Sequence, residues 1–137
     1  WRVTRTTELF VLRAPAQSPV SAEFTVVLEL TSSEYVLTAA ETKFTYDAER
    51  LELVSVVPGD LLPIVLVYPD VGSGYANLTA GSGTTPKPGP GNLVVLTFRG
   101  LKAGSARIEL APSSQAAARG YAGNVLPGFA PTTVSIR

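Results

Sequence analysis

The stretch Thr42–Asp60, TKFTYDAERLELVSVVPGD, reads as a strand, an acidic corner, a second strand and a Gly-Asp stop. Thr42, Phe44 and Tyr46 fall on one side at period two, with Lys43 and Thr45 on the other, which is the alternation of a strand buried on one face. Asp47 ends that strand. Its carboxylate can accept from backbone N–H groups a residue or two ahead and so fix a tight corner through Ala48, Glu49 and Arg50. In the next strand Leu51, Leu53 and Ser55 point one way and Glu52, Val54 and Val56 the other. Pro58 then withholds a ladder donor, and Gly59-Asp60 turns the chain.

The same grammar runs outward in both directions. Valine, threonine, glycine and proline are abundant, and no window longer than ten residues keeps apolar positions at helical spacing. The reading is all-β, with strands expected at Glu8–Arg13, Ala22–Leu30, Ala39–Tyr46, Leu51–Val57, Ile64–Tyr68, Gly74–Ala80, Leu93–Arg99, Ser105–Leu110 and Thr132–Arg137. Short strands divided by Pro, Gly and Ser punctuation argue for a sandwich or barrel rather than βαβ units. Phe24, Val26, Leu28 and Leu30 face inward against Glu23, Thr25 and Glu29, and Ala106, Ile108 and Leu110 do so against Arg107 and Glu109. Phe24, Val26, Leu28, Phe44, Tyr46, Leu51, Leu96, Phe98 and Ile108 are expected to share one core. Ile64–Tyr68 and Leu93–Phe98 are apolar on both sides, so each is a central strand covered by a loop or a strand whose outer face meets something else. Loop cover is the blander of the two. Gly81–Asn92, GSGTTPKPGPGN, is a long connection between the sixth and seventh strands. In the other long connection, Ala111–Pro131, Gln115–Arg119 is read as one helical turn ahead of Gly120.

The 137 residues suit a single domain spanning 1–137. Eleven basic residues balance eleven acidic ones, so no net field draws the chain to nucleic acid. There is no cysteine and no histidine, which removes thiol nucleophiles, imidazole bases, disulfides and the usual zinc and copper ligands. No apolar run approaches the ~20 residues of a membrane-spanning helix. No methionine stands at the start, so the chain reads as a processed or excised piece whose signal peptide is already gone. Few Asn, Gln, Met and Cys residues, Arg in excess of Lys and many prolines lean toward a thermophilic source.

Without His or Cys, paired carboxylates are the catalytic constellation left, as in glycoside hydrolysis. Asp47, Asp60 and Asp70 each stand at a strand end beside turn residues, where capping accounts for them. The chain is therefore expected to be no enzyme and to bind no cofactor or metal; a calcium site built on these loop aspartates is the minority alternative. Gly72-Ser-Gly74 and Gly81-Ser-Gly83 precede no helix that would offer its N-terminus to an anion. Asn77-Leu78-Thr79 is a formal glycosylation sequon, though Asn77 falls in a strand rather than a loop.

Tyr46-Asp47, Leu51, Val56 and Gly59-Asp60, followed by Leu96-Thr97-Phe98 and Gly104, resemble the cohesin module of bacterial and archaeal extracellular proteins. The resemblance covers Glu8 to Arg137. It implies a nine-stranded antiparallel β-sandwich of jelly-roll topology that catalyses nothing and works outside the cell or on its surface. Its relatives bind dockerin modules through one flat sheet face made by strands eight, three, six and five. By motif position this points to Glu41 and Lys43 in the third strand, to Arg107 and Glu109 in the eighth, and to Tyr68, Tyr75 and Asn77 in the fifth and sixth. The same charges would also suit a merely solvated sheet face.

Two further readings stay open. Trp1–Thr7, a β-branched segment ahead of the first strand, is a candidate extended arm for self-association by strand addition, as in a subunit of an extracellular filament or surface layer. A frayed terminus is the plainer account. A carbohydrate-binding module would stack polysaccharide on coplanar aromatics, and Tyr35, Tyr68, Tyr75 and Tyr121 are what the chain offers beside Trp1.

Overall fold

The computed structural model describes residues 2–5, 10–126 and 131–137. Among them are twelve strands and no helix: β1 (Arg2–Arg5), β2 (Phe10–Ala14), β3 (Gln17–Ser18), β4 (Glu23–Leu30), β5 (Leu37–Tyr46), β6 (Leu51–Pro58), β7 (Ile64–Gly72), β8 (Tyr75–Gly81), β9 (Gly91–Gly100), β10 (Gly104–Leu110), β11 (Gln115–Ala118) and β12 (Thr132–Ile136). One sheet runs β1-β2-β4-β9-β6 and the other β3-β12-β10-β5-β8-β7, with β11 also paired to β5. All nine expected strands are present. The three additions, β1, β3 and β11, are short, and β3 pairs with β12 in parallel, a departure from a purely antiparallel sandwich. Each sheet turns its apolar face to the other, which is the only way two half-apolar sheets can both be desolvated.

The core follows the alternation. Phe10, Leu12, Phe24, Val26, Leu28 and Leu30 from one sheet meet Leu37, Phe44, Leu78, Ile108 and Val134 from the other, all buried. Phe24 and Phe98 stack at 5.9 Å, and Tyr46 meets Phe98 edge-on at 5.1 Å. The part-buried Tyr46 hydroxyl is satisfied by donating to the Gly72 carbonyl at 3.1 Å, as an amphipathic tyrosine at a core rim should be. Thr42 faces the same core and donates its hydroxyl to the Leu78 carbonyl at 3.1 Å.

The acidic corner forms as the residues dictate. Asp47 Oδ1 accepts from the Glu49 N–H at 3.1 Å, the Asp47 carbonyl accepts from Leu51 at 2.9 Å, and Oδ2 pairs with Arg50 Nη1 at 3.0 Å. Arg50 in turn lies where any Cβ on Gly104 would have to sit, and Gly104 takes a φ of +137°, so glycine is the residue that fits. At the far stop, Asp60 Oδ1 accepts from the Asn92 N–H at 2.7 Å, tying the end of β6 to the start of β9.

Four expectations are corrected. The expected phase of β6 holds only for its first half: the register to β9 slips between Leu53 and Ser55, leaving Val54 bulged, so Leu51, Leu53 and Val56 all pack on the core. One extra residue in a strand reverses the facing of everything after it. Gln115–Arg119 contains no helical turn. Ala116 and Ala118 are buried while Gln115 and Ala117 face out, a period of two, and the backbone gains a ladder to β5 that a lone turn of helix would lack. Gly120 does adopt the positive φ (+84°) expected of it. Loop cover fails for Ile64–Tyr68, which lies exposed at a sheet edge. In β9 the outward Val95 is instead flanked by Val27 of β4 and Val57 of β6 within its own sheet.

Trp1, Thr6 and Thr7 of the candidate arm, and Glu8 of the expected first strand, lie outside the described residues. Residues 2–5 pair antiparallel with the chain's own β2, from Arg2 opposite Ala14 to Arg5 opposite Val11, which makes β1 the edge of its sheet.

Candidate functional site

The outer face of the second sheet gathers most of the singled-out residues through backbone register alone. On β8, Ala76, Leu78 and Ala80 are buried, so Tyr75, Asn77 and Thr79 face outward. Residues directly opposite on antiparallel strands share a side. Asn77 is opposite Lys43, Thr79 opposite Glu41, and Tyr75 opposite Thr45, which on its other side is opposite Glu109. Arg107, two residues before Glu109, completes the face next to Thr133 of β12. Six of the seven candidates, Glu41, Lys43, Tyr75, Asn77, Arg107 and Glu109, thus lie on one face.

Tyr68 is placed differently. The β7–β8 register slips between Val67 and Asp70, so Tyr68 has no opposite residue on β8 and is 92% exposed. It stands at the margin of the face rather than within its grid.

Opposite charges on this face pair along their own strands. Lys43 Nζ is 3.3 Å from Glu41 Oε1, and Arg107 Nη2 is 2.6 Å from Glu109 Oε2. Side chains two apart on a strand share a face and reach each other readily. Such solvent-exposed pairs are worth ~0–1 kcal/mol each, so they are easily exchanged for a partner's charges.

Midway along this face β5 changes neighbours. β10 pairs with it over Phe44–Tyr46 and β11 over 37–41, and Ser114 fills the junction, its hydroxyl accepting from the Lys43 N–H at 2.9 Å. Beside the junction lies a shallow depression of about 380 Å³ floored by Ala39 and Ala117 and bordered by Glu41, Thr79, Gln115 and Tyr121. Asn124 holds its wall in place: Oδ1 accepts from the Ala116 and Leu126 N–H groups at 2.8 and 2.9 Å, and Nδ2 donates to the Leu126 carbonyl at 2.9 Å. Of these residues, the sequence points to Tyr121 only as an aromatic for a sugar platform and to Gln115 only as the start of a helical turn; Ala117 and Asn124 are not singled out. Gln115–Ala118 reads QAAA, which carries no period-two pattern of its own, and alanine's helix preference points the other way.

Beyond β8 the face runs into β7. Val67 is opposite Thr79, and Asp70 opposite Asn77, which places both on the outer side. Leu66 lies across Gly81, whose missing side chain leaves room for it. Six apolar residues of this strand, Ile64, Val65, Leu66, Val67, Tyr68 and Val71, are exposed.

Among the described residues no three acidic side chains cluster in a way that would hold a metal ion. Asp47 caps its corner, Asp60 is committed to Asn92 and lies 3.7 Å from Lys87 Nζ, and Asp70 is on the outer side of β7. Tyr35 and Tyr121 meet at an interplanar angle of 84°, so these two do not form a flat platform for a sugar ring. No helix among the described residues is long and apolar enough to cross a membrane.

Neither protein-family models nor the curated proteins yield a match to this sequence. Solved structures do match in fold. The cohesin module of a Clostridium perfringens family 33 glycoside hydrolase superimposes with a TM-score of 0.75 at 16% identity, over 95% of this chain and 98% of that one. The non-cellulosomal cohesin of the hyperthermophilic archaeon Archaeoglobus fulgidus gives 0.69 at 17% identity, over 92% and 89%. The sixth cohesin of Acetivibrio cellulolyticus scaffoldin B, in complex with a Cel5 dockerin, gives 0.72 at 16% identity, over 93% and 99%. The chain therefore has a cohesin-like fold, as its Tyr46-Asp47 and Gly59-Asp60 blocks led one to expect.

Proposed function

We propose that this domain is a non-catalytic recruitment module that binds a protein partner, of dockerin type, through the outer face of β10, β5, β8 and β7, outside the cell or at its surface. The observation that carries the reading is the grid itself: Glu41, Lys43, Tyr75, Asn77, Arg107 and Glu109 lie side by side on an open sheet, bordered by the exposed apolar residues of β7. An apolar border beside exchangeable charges is the composition of a protein interface, in which the apolar part supplies burial and the charges supply orientation and encounter rate. Likeness in fold to cohesins solved together with dockerins supports the partner class, and the family resemblance of the Tyr46-Asp47 and Gly59-Asp60 blocks is what supports the extracellular placement. The dispersed carboxylates and the absence of His and Cys support a role without catalysis.

The test is a pull-down from the source organism's secreted fraction with the wild-type module and with Lys43→Glu/Arg107→Glu. The double reversal removes both ion pairs of the face, at ~0–2 kcal/mol in all, so both proteins fold. Wild type retains a partner with affinity that weakens as salt rises, and the variant loses it. Equal recovery of the same partner by both would remove this face as the binding site.

A further inference from the structure

We propose that the depression beside β11 is the part of the outer face that receives a long basic side chain, lysine or arginine, from the partner; this rests on the reading of that face as the partner's seat. Strand register builds it. Gln115, Glu41 and Thr79 stand in one row across β11, β5 and β8, and Ala117, Ala39 and Gly81 stand in the next. Residues opposite one another share a side, so a row of longer polar side chains runs beside a row no higher than a methyl group. Leu66 takes up the third place of the low row, its Cδ1 3.0 Å from where a Cβ on Gly81 would stand. Tyr121 borders the space of about 380 Å³ that remains above Ala39 and Ala117.

The tyrosine is held from the core outward. Tyr121 is half exposed, yet its ring meets Tyr35 at 4.9 Å and an interplanar angle of 84°, and Tyr35 in turn lies 6.0 Å from the buried Phe10. The Tyr121 N–H donates to the Ala118 carbonyl at 3.2 Å, and Gly120 before it and Gly123 after it both take a φ of +84°, which glycine adopts without strain. A partly exposed aromatic that is ordered before binding loses little freedom on contact, which is how tyrosine comes to dominate interfaces.

Charge selects the occupant. Among the described residues that line the depression Glu41 is the one charged group, its side chain is 48% exposed, and the Lys43 Nζ that pairs with it at 3.3 Å lies outside the lining. An exposed pair of this kind is readily exchanged. Gln115 and Thr79 add side-chain oxygens that accept hydrogen bonds. An acidic side chain would meet Glu41 with like charge, and a plain apolar one would take Glu41 and Gln115 out of water with no partner for either. A lysine or arginine satisfies every wall at once: its apolar stem lies on Ala39 and Ala117 while its cation reaches the Glu41 carboxylate and the Tyr121 ring.

An amide-shift titration of the isotope-labelled domain tests this, with capped tripeptides that carry lysine, arginine, norleucine or glutamate between two alanines. The lysine and arginine peptides should move the amides of Ala39, Ala117, Tyr121 and Gly123; the norleucine peptide, which has the lysine stem without its charge, and the glutamate peptide should not. Glu41→Gln and Tyr121→Leu, with wild-type circular dichroism, should each weaken the lysine and arginine peptides about two- to fivefold. Lys43→Ala, by freeing Glu41, should bind them more tightly than wild type. In the pull-down, Glu41→Gln/Tyr121→Leu should recover several-fold less partner. No shift with either basic peptide, equal shifts with norleucine, weaker binding by Lys43→Ala, or undiminished recovery by Glu41→Gln/Tyr121→Leu would overturn the proposal and leave the face to stand on its own test. Equal recovery by Lys43→Glu/Arg107→Glu and wild type would strike the face, and this proposal with it.

Discussion

Replacing Asp47 by alanine isolates the corner on which the fold of this chain turns. Two interactions vanish: the 3.1 Å bond from the Glu49 N–H to Oδ1 and the 3.0 Å pair between Oδ2 and Arg50 Nη1. The first resembles a cap and is worth ~1 kcal/mol. The second leaves Arg50, whose side chain is 30% exposed and whose buried Nε already has no partner, with a further unpaired donor, at ~1–2 kcal/mol. The expected loss is ~2–3 kcal/mol, which for a domain of this size lowers Tm by roughly 8–12 °C. Asp47→Asn keeps an oxygen at the Oδ1 position but surrenders the charge, so it should lose only about half as much. Thermal melts of the two variants beside wild type read both terms. An Asp47→Ala protein melting within ~2 °C of wild type would refute the reasoning, because the corner would then be held by its backbone bonds and the packing of Leu51 alone. Equal losses for Asn and Ala would place the whole effect in the ion pair.

Two further outcomes are expected. Phe98→Ala should cost ~3–5 kcal/mol, read as a shift of the urea midpoint, since the ring is fully buried against Phe24 and Tyr46; a shift no larger than that of a surface variant would remove it from the core. A chelator should leave Tm unchanged, whereas a drop of several degrees restored by calcium would redirect attention to Asp47, Asp60 and Asp70.

Much of the outer face was legible because sheet geometry is local. Once Phe44 and Tyr46 are assigned inward, Lys43 and Glu41 must be outward, and the same step places Arg107 and Glu109 opposite Ile108 and Leu110. Tyr75 and Asn77 were named from the resemblance, and the buried Ala76 and Leu78 then settled their facing. Tyr68 escaped this logic, since a slip in pairing depends on the neighbouring strand and leaves no mark in its own residues.

The sequence by itself determined the strands, the Asp47 corner, the Gly59-Asp60 stop and the inward set, because each follows from φ preferences, side-chain reach and a two-residue period within a few positions of chain. What only the tertiary structure decided is everything set by which strand lies beside which. The bulge at Val54 returns Val56 to the core because β9 fixes the register across it. Gln115–Ala118 becomes a strand because β5 has unpaired backbone groups to offer at 37–41, an energy no local propensity contains. And Ile64–Tyr68 stands exposed because β7 is the edge strand of its sheet and most of its apolar side chains turn to the outer side, a placement that its own residues cannot report.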